Sequence, residues 1–150
     1  MHFDHIGVFV SDIEHGRALL SALLPITRRS ETFYDPLLQV AVQFLYDRSG
    51  ICYELVAPNG PKNPIETVLK TRKNVLNHVA YRVDDIEAKL SELRDAGCFP
   101  ITEARPAVAF GGRRVVFLYT PLNFIIELVE ETQTLEVGRG SKAAVQNLVG

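Results

Sequence analysis

The segment FDHIGVFVSDIE, starting at Phe3, returns as LNHVAYRVDDIE, starting at Leu76, so that His5 and His78 stand 73 residues apart. At that offset Val10, Asp12, Ile13 and Glu14 meet Val83, Asp85, Ile86 and Glu87. The same offset carries VQFLYD from Val42 onto VVFLYT from Val115, and ICYELV from Ile51 onto FIIELV from Phe124. A chance echo would not hold one register through three separate segments. The chain therefore reads as two copies of one unit, residues 1–73 and 74–131, which is too few for a solenoid. Two half-domains packed about a pseudo-twofold axis, in a single domain over 1–131, satisfy the pattern. Residues 132–150 read as a loosely held C-terminal extension.

Each copy has the same element pattern. A strand rich in Val, Ile and Phe spans 3–10. Ser11 reads as the cap of a following helix, with Glu14 completing a capping box, and Asp84 and Glu87 take those places in the second copy. Ile13, Leu20 and Leu24 then share one helical face, as do Ile86, Leu90 and Leu93, and Gly97 reads as a helix stop. Strands follow at 39–47 and 50–57, joined by a turn from Asp47 to Gly50, and at 113–119 and 123–130, joined around Pro121 and Asn123. A further strand is expected near 27–33 and near 100–105. The fold class is thus α+β, a βαβββ module written twice. NGPKNPIETVLK links the copies as a turn and a short helix begun by Asn63 and Pro64.

Net charge is −2 and the isoelectric point about 6.1, without the basic excess expected of a nucleic-acid binder. No apolar run approaches the roughly 20 residues that span a membrane. No secretory pattern opens the chain, so a cytoplasmic location is expected. Cys52 and Cys98 are the only cysteines and read as free thiols.

Two polar residues interrupt apolar strands in each copy: His5 and Glu54, then His78 and Glu127, 49 residues apart in both cases. A lone strand histidine is usually a hydrogen-bonded core or surface group, and a lone strand glutamate usually faces solvent. Four in duplicated register are different, because a buried carboxylate without a partner is costly. Brought to the axis, two imidazoles and two carboxylates form a neutral cage for one divalent cation. Imidazole and carboxylate without thiolate suit Ni, Co, Zn, Mn or Fe.

With FDHIGVFVSDIE, CYELVAP, LNHVAYRVDDIE and FIIELVEE in place, the chain resembles the vicinal oxygen chelate superfamily over residues 1–131. The resemblance implies two tandem βαβββ modules forming a cupped, barrel-like mixed sheet around a metal, with His5, Glu54, His78 and Glu127 as ligands. It also implies proton abstraction next to a carbonyl through an enediolate that the cation stabilises. Two branches compete. HVAYRVDDI and IELVE resemble methylmalonyl-CoA epimerase, which has Gln at the position of Glu54 and a catalytic Glu at that of Gln43. The His/Glu/His/Glu set resembles glyoxalase I, in which a ligating glutamate also moves the proton. The resulting expectation is a glyoxalase I-like lyase first, an acyl-CoA epimerase second and a metal-free binding protein of the same fold third. The substrate would be a thiohemiacetal or an acyl thioester. Glu54 and Glu127 are the expected proton carriers and Gln43 a possible partner for substrate or a bound water. FGGRRV, from Phe110, offers a gating loop in which Arg113 and Arg114 would hold an anionic tail. A cupped half-sheet leaves apolar edges, so a homodimer is expected.

Overall fold

The computed structural model describes residues 1–70 and 74–131 and the backbone of 146–147. The first copy runs β1 (His2–Val10), α1 (Ile13–Leu23), β2 (Ile26–Asp35), β3 (Val40–Asp47) and β4 (Cys52–Pro58), followed by the short α2 (Glu66–Leu69). The second runs β5 (Asn74–Val83), α3 (Ile86–Asp95), β6 (Phe99–Pro100), β7 (Arg105–Pro106), a 3-10 turn at Val108–Phe110, β8 (Arg114–Tyr119) and β9 (Ile125–Glu130). A two-residue strand, β10 (Gln146–Asn147), adds to the edge at β2. The rest of the expected 132–150 extension lies outside the described residues. Among the described residues no helix is long and apolar enough to cross a membrane.

Each long helix starts one residue later than the sequence pattern places it. Asp12, not Ser11, caps α1, its Oδ1 accepting from His15 N at 2.8 Å, and Asp85, not Asp84, caps α3, accepting from Ala88 N at 3.0 Å. Glu14 and Glu87 then sit in the first turn, where they complement the positive end of the helix instead of closing a capping box. The cap position of α2 is Ile65, not Asn63, although Asn63 Oδ1 accepts from Glu66 N at 2.7 Å just ahead of it. With 11 and 10 residues, α1 and α3 are too short to persist alone, so packing must hold them. Val10, Ile13, Leu45 and Leu55 form the core with α1, and Val83, Ile86, Leu118 and Leu128, each 73 positions on, form the core with α3. Fully burying one such side chain contributes about 1.5–3 kcal/mol.

All strands join one mixed sheet in the order β10-β2-β3-β4-β1-β5-β9-β8-β6, with β7 also on β8. β1 and β5 pair antiparallel at its centre, and each is flanked by a parallel partner, β4 and β9 respectively. The copies differ at one strand. β2 is ten residues long, whereas its expected counterpart near 100–105 breaks into the two-residue β6 and β7. Pro100 and Pro106 can donate nothing to a ladder. In the gap between β6 and β7, Thr102 Oγ1 accepts from Phe117 N at 2.9 Å and replaces a strand bond.

The ends of the sheet curl toward each other on the face away from α1 and α3. Val108 N donates to Asp35 Oδ2 at 3.4 Å, joining the end of β2 to the 3-10 turn. Asp35 is itself fixed, because its Oδ1 accepts from Leu37 N and Leu38 N. The cup thus closes on itself within one chain.

Candidate metal centre

The four central strands, β4, β1, β5 and β9, each carry one of Glu54, His5, His78 and Glu127. Their registers explain why the four meet. Gly7 lies opposite both Glu54 and His78, and Ala80 lies opposite both His5 and Glu127. Cross-strand partners share a face of the sheet. Two rows therefore run across the centre, Glu54–Gly7–His78 and His5–Ala80–Glu127, each with a small residue between a carboxylate and an imidazole. A Cβ at Gly7 would fall 2.0 Å from Cε1 of His78, so only glycine leaves room for that ring.

One potential ligand atom from each of the four residues lies within 4.8 Å of all the others. His5 Nε2 is 3.3 Å from His78 Nε2, 3.3 Å from Glu54 Oε2 and 3.0 Å from Glu127 Oε2. His78 Nε2 is 3.3 Å from Glu54 Oε2 and 3.2 Å from Glu127 Oε2. All four residues are buried. Glu127 Oε2, although close to both imidazoles, makes no hydrogen bond of acceptable direction. Donor atoms that crowd one point, one of them a buried carboxylate oxygen without a hydrogen bond, fit a cation at that point, and two nitrogens with two oxygens are a borderline-hard donor set.

The electrostatics agree. Burial alone would lower the pKa of His5, but Glu54, Asp4 and Glu127 outweigh it and hold the imidazole well above its ordinary value. Burial likewise lowers and Glu127 with Glu54 raises His78, which ends above its ordinary value. Burial would raise Glu54, yet His5 and His78 hold its carboxyl below the usual carboxylate range. Without a metal the cluster draws in protons, as a concentration of buried negative charge must.

Each imidazole is oriented from behind. Asp4 Oδ2 lies 2.8 Å from His5 Nδ1, and Asn77 Oδ1 lies 2.9 Å from His78 Nδ1. Phe110 stacks on His5 at 5.6 Å and 19°, while Phe117 and Phe9 meet His78 edge-on. Glu54, His78 and Glu127 line a cavity of about 110 Å³, walled by apolar side chains such as Val42, Val56, Val115 and Phe117, with Asp35 as the further acidic residue in its lining.

Two expected site residues are placed elsewhere. Phe44, not Gln43, is the cross-strand partner of Glu54, so Gln43 sits on the opposite face of β3. There its amide donates to Ser30 O at 2.9 Å and its Oε1 accepts from Arg17 at 3.4 Å. Gln43 is thus a satisfied structural amide, and the contact with substrate or a bound water expected of it from the sequence has no basis in its position. Arg114 also faces away, held by Glu130 at 2.7 Å through both Nε and Nη2 and by Glu87 at 3.1 Å. Arg113 lies in the turn just before β8, its N donating to Phe110 O at 3.3 Å, and has no carboxylate partner among the described residues; it does not line the cavity. At the 73-residue offset its counterpart is Val40, which lines the cavity.

Sequence reasoning missed Asp4, Asn77, Gly7, Ala80 and Phe110. Four of these were within reach, because Asp4 aligns with Asn77 and Gly7 with Ala80 at the same offset.

Comparison with known proteins agrees with this fold. The family model described as the glyoxalase/bleomycin resistance protein/dioxygenase superfamily matches residues 4–117. An ethylmalonyl-CoA/methylmalonyl-CoA epimerase from Cereibacter sphaeroides is 35% identical over 81 residues, covering 53% of this chain and 60% of that protein. The match thus spans less than two thirds of that relative. The crystal structure of methylmalonyl-CoA epimerase from Mycobacterium tuberculosis superposes with a TM-score of 0.70 at 24% identity, over 87% of this chain and 88% of that one. A hypothetical protein from Bacillus halodurans superposes with a TM-score of 0.72 at 24% identity, over 90% and 97%.

Proposed function

The chain belongs to the glyoxalase/bleomycin resistance protein/dioxygenase superfamily, and from that premise we propose that it is a metal-dependent epimerase of 2-alkylmalonyl thioesters. The observation that carries this reading is the pair Glu54 and Glu127, two buried carboxylates that flank one small, mostly apolar cavity at pseudo-twofold-related positions. Epimerisation removes a proton from one face of a carbon next to a carbonyl and returns one to the other face. Two carboxylates on opposite sides supply both halves of that exchange.

His5, Glu54, His78 and Glu127 would hold the cation, which when bound supplies Lewis-acid polarisation of the thioester carbonyl. The remaining work falls to the chain's own residues. Glu54 and Glu127 carry the proton to and from the substrate carbon. Val42, Val56, Val115 and Phe117 exclude water and accept the alkyl branch. Arg113 meets the free carboxylate at the rim. At about 110 Å³ the cavity holds the volume of about four water molecules. That accommodates a branched acyl group and leaves its carrier outside.

The sequence alone favoured the glyoxalase I-like reading. The Cereibacter relative favours the epimerase, while the His/Glu/His/Glu donor set still supports isomerisation of a thiol–aldehyde adduct as the second reading. The proposal includes a homodimer, for which the exposed Phe3 and Leu76 offer apolar surface, and sedimentation at micromolar protein tests it. The deciding experiment loads the metal-stripped chain with cobalt, zinc, nickel or manganese. It then follows deuterium incorporation from solvent into methylmalonyl-CoA and into a methylglyoxal–glutathione adduct. Exchange into the first alone supports the epimerase, exchange into the second alone supports the lyase, and exchange into neither refutes both.

A further inference from the structure

The repeat offers each imidazole a different neighbour. Behind His5 stands Asp4, a buried carboxylate whose other oxygen accepts from Arg82 Nε at 2.5 Å, with Arg82 reaching on to Glu131 at 3.4 Å. Behind His78 stands Asn77, a neutral carboxamide. The difference is compensated around it. Arg82 has Phe9 as its counterpart at the 73-residue offset, so the guanidinium that balances Asp4 is replaced by an apolar ring on the side that has no charge to balance.

These two neighbours impose different chemistry. An ionised carboxylate can only accept, so in the neutral imidazole that a cation requires Asp4 keeps the His5 proton on Nδ1 and leaves the Nε2 lone pair facing the cluster. A carboxamide both donates and accepts. Rotated by half a turn, Asn77 would present its NH₂ to His78 Nδ1, and the His78 proton would move to Nε2, where no lone pair remains for a cation. A carboxylate behind an imidazole also makes that imidazole a stronger donor to a metal.

We propose that Asp4 is a positioning residue that makes His5 the anchoring ligand of the site and leaves His78 the weaker one, so that the two histidines of the repeat are chemically unequal. This inference rests on the cation-holding reading given above. It concerns how tightly each side of the site holds the cation and is independent of which substrate the site takes.

The test is calorimetric titration of zinc, and visible spectroscopy of added cobalt(II), on metal-stripped wild type, Asp4→Asn and Asn77→Ala. Asp4→Asn keeps the size of the side chain and should weaken zinc binding by about 10–100-fold and shift the cobalt absorption bands. Asn77→Ala should weaken zinc binding by a smaller factor. Asp4→Asn binding as tightly as wild type, or Asn77→Ala losing as much as Asp4→Asn, overturns the proposal. Wild type that binds no divalent metal overturns the metal reading itself, so the two failures are distinguishable. Should Asp4→Asn not fold, proton NMR of zinc-loaded wild type decides. The His5 Nδ1 proton should lie further downfield and exchange more slowly with water than that of His78, and equal behaviour of the two overturns the proposal.

Discussion

The ring of His78 lies against the backbone of Gly7, with no space between them for a methyl group: a Cβ on Gly7 would meet three ring atoms at 2.0, 2.1 and 2.4 Å. Gly7 is in a strand and has no positive φ, so it is required by the ring and not by its own backbone. Gly7→Ala should therefore displace His78 and spare the sheet. The expected result is a folded protein whose zinc affinity drops by about 10-fold or more, the order of loss seen when a ligand is misoriented. Calorimetry checks the affinity and circular dichroism the fold. A variant that binds zinc as wild type does would show that His78 can move aside without leaving the site.

The raised pKa values of His5 and His78 set the direction of the pH response of metal-free protein. A histidine in the unfolded chain titrates near 6.5. A group whose folded pKa lies above that value stabilises the fold fully below pH of about 6.5 and loses this contribution as pH rises through the folded pKa. The melting temperature of the metal-stripped chain should thus fall as pH is raised from about 6.5 through the histidine titration. Metal must displace the same protons, so apparent zinc affinity should rise over that window and level off above it. Thermal unfolding and zinc titration across the pH range check both, and a flat melting temperature would count against charged imidazoles in the metal-free cluster.

The two carboxylates should be separable by stereochemistry. If each serves one face of the substrate carbon, Glu54→Gln and Glu127→Gln should slow solvent exchange unequally from the two epimers, with opposite preference. Removal of a general base costs on the order of 10²–10⁴ in rate. An amide oxygen can still donate to a metal, so metal content should be measured on the same samples. Equal loss from both epimers in both variants would assign both proton transfers to one shared group.

The adjacent arginines should behave differently. Arg113→Ala should lower kcat/KM for a substrate with a free carboxylate by about 10–100-fold, the value of a lost charge-assisted hydrogen bond of about 1.5–3 kcal/mol. Arg114→Ala should leave kcat/KM unchanged and cost at most about 1 kcal/mol of stability, since its ion pairs with Glu130 and Glu87 are partly solvated. Steady-state kinetics and denaturant unfolding of both variants check this. A larger kinetic effect from Arg114→Ala would reverse the assignment.

Much of the site's plan was readable because the repeat preserves spacing, and spacing along paired strands fixes which side chains meet. His5, Glu54, His78 and Glu127 were found that way. Gln43 was misplaced by a single position: side chains alternate across a strand, and the sequence of β3 is apolar on both faces, so it carries no alternation to show which face looks inward. Arg114 was misjudged for another reason. Its partners Glu87 and Glu130 are 27 and 16 residues away, on α3 and β9, and nothing in the local sequence announces such pairing. The late start of both helices has a local cause, since two neighbouring residues could each cap and only packing of Ile13 and Ile86 chooses between them.

The contact between Asp35 and Val108 joins two residues 73 positions apart, as the cluster joins His5 and His78. Two separate copies of a half-unit meeting across such a seam would be bound to present identical walls to whatever lay between them. A chain that closes the seam by itself is released from that identity, and one half can change while its mate does not. Val40 thus stands where its mate has Arg113, and Asp4 where its mate has Asn77. A chamber with identical ends would accept an elongated guest in either direction. This one is lined by Asp35 and Val40 from one half and by Ala107 and Phe110 from the other, and so has a front and a back for its substrate.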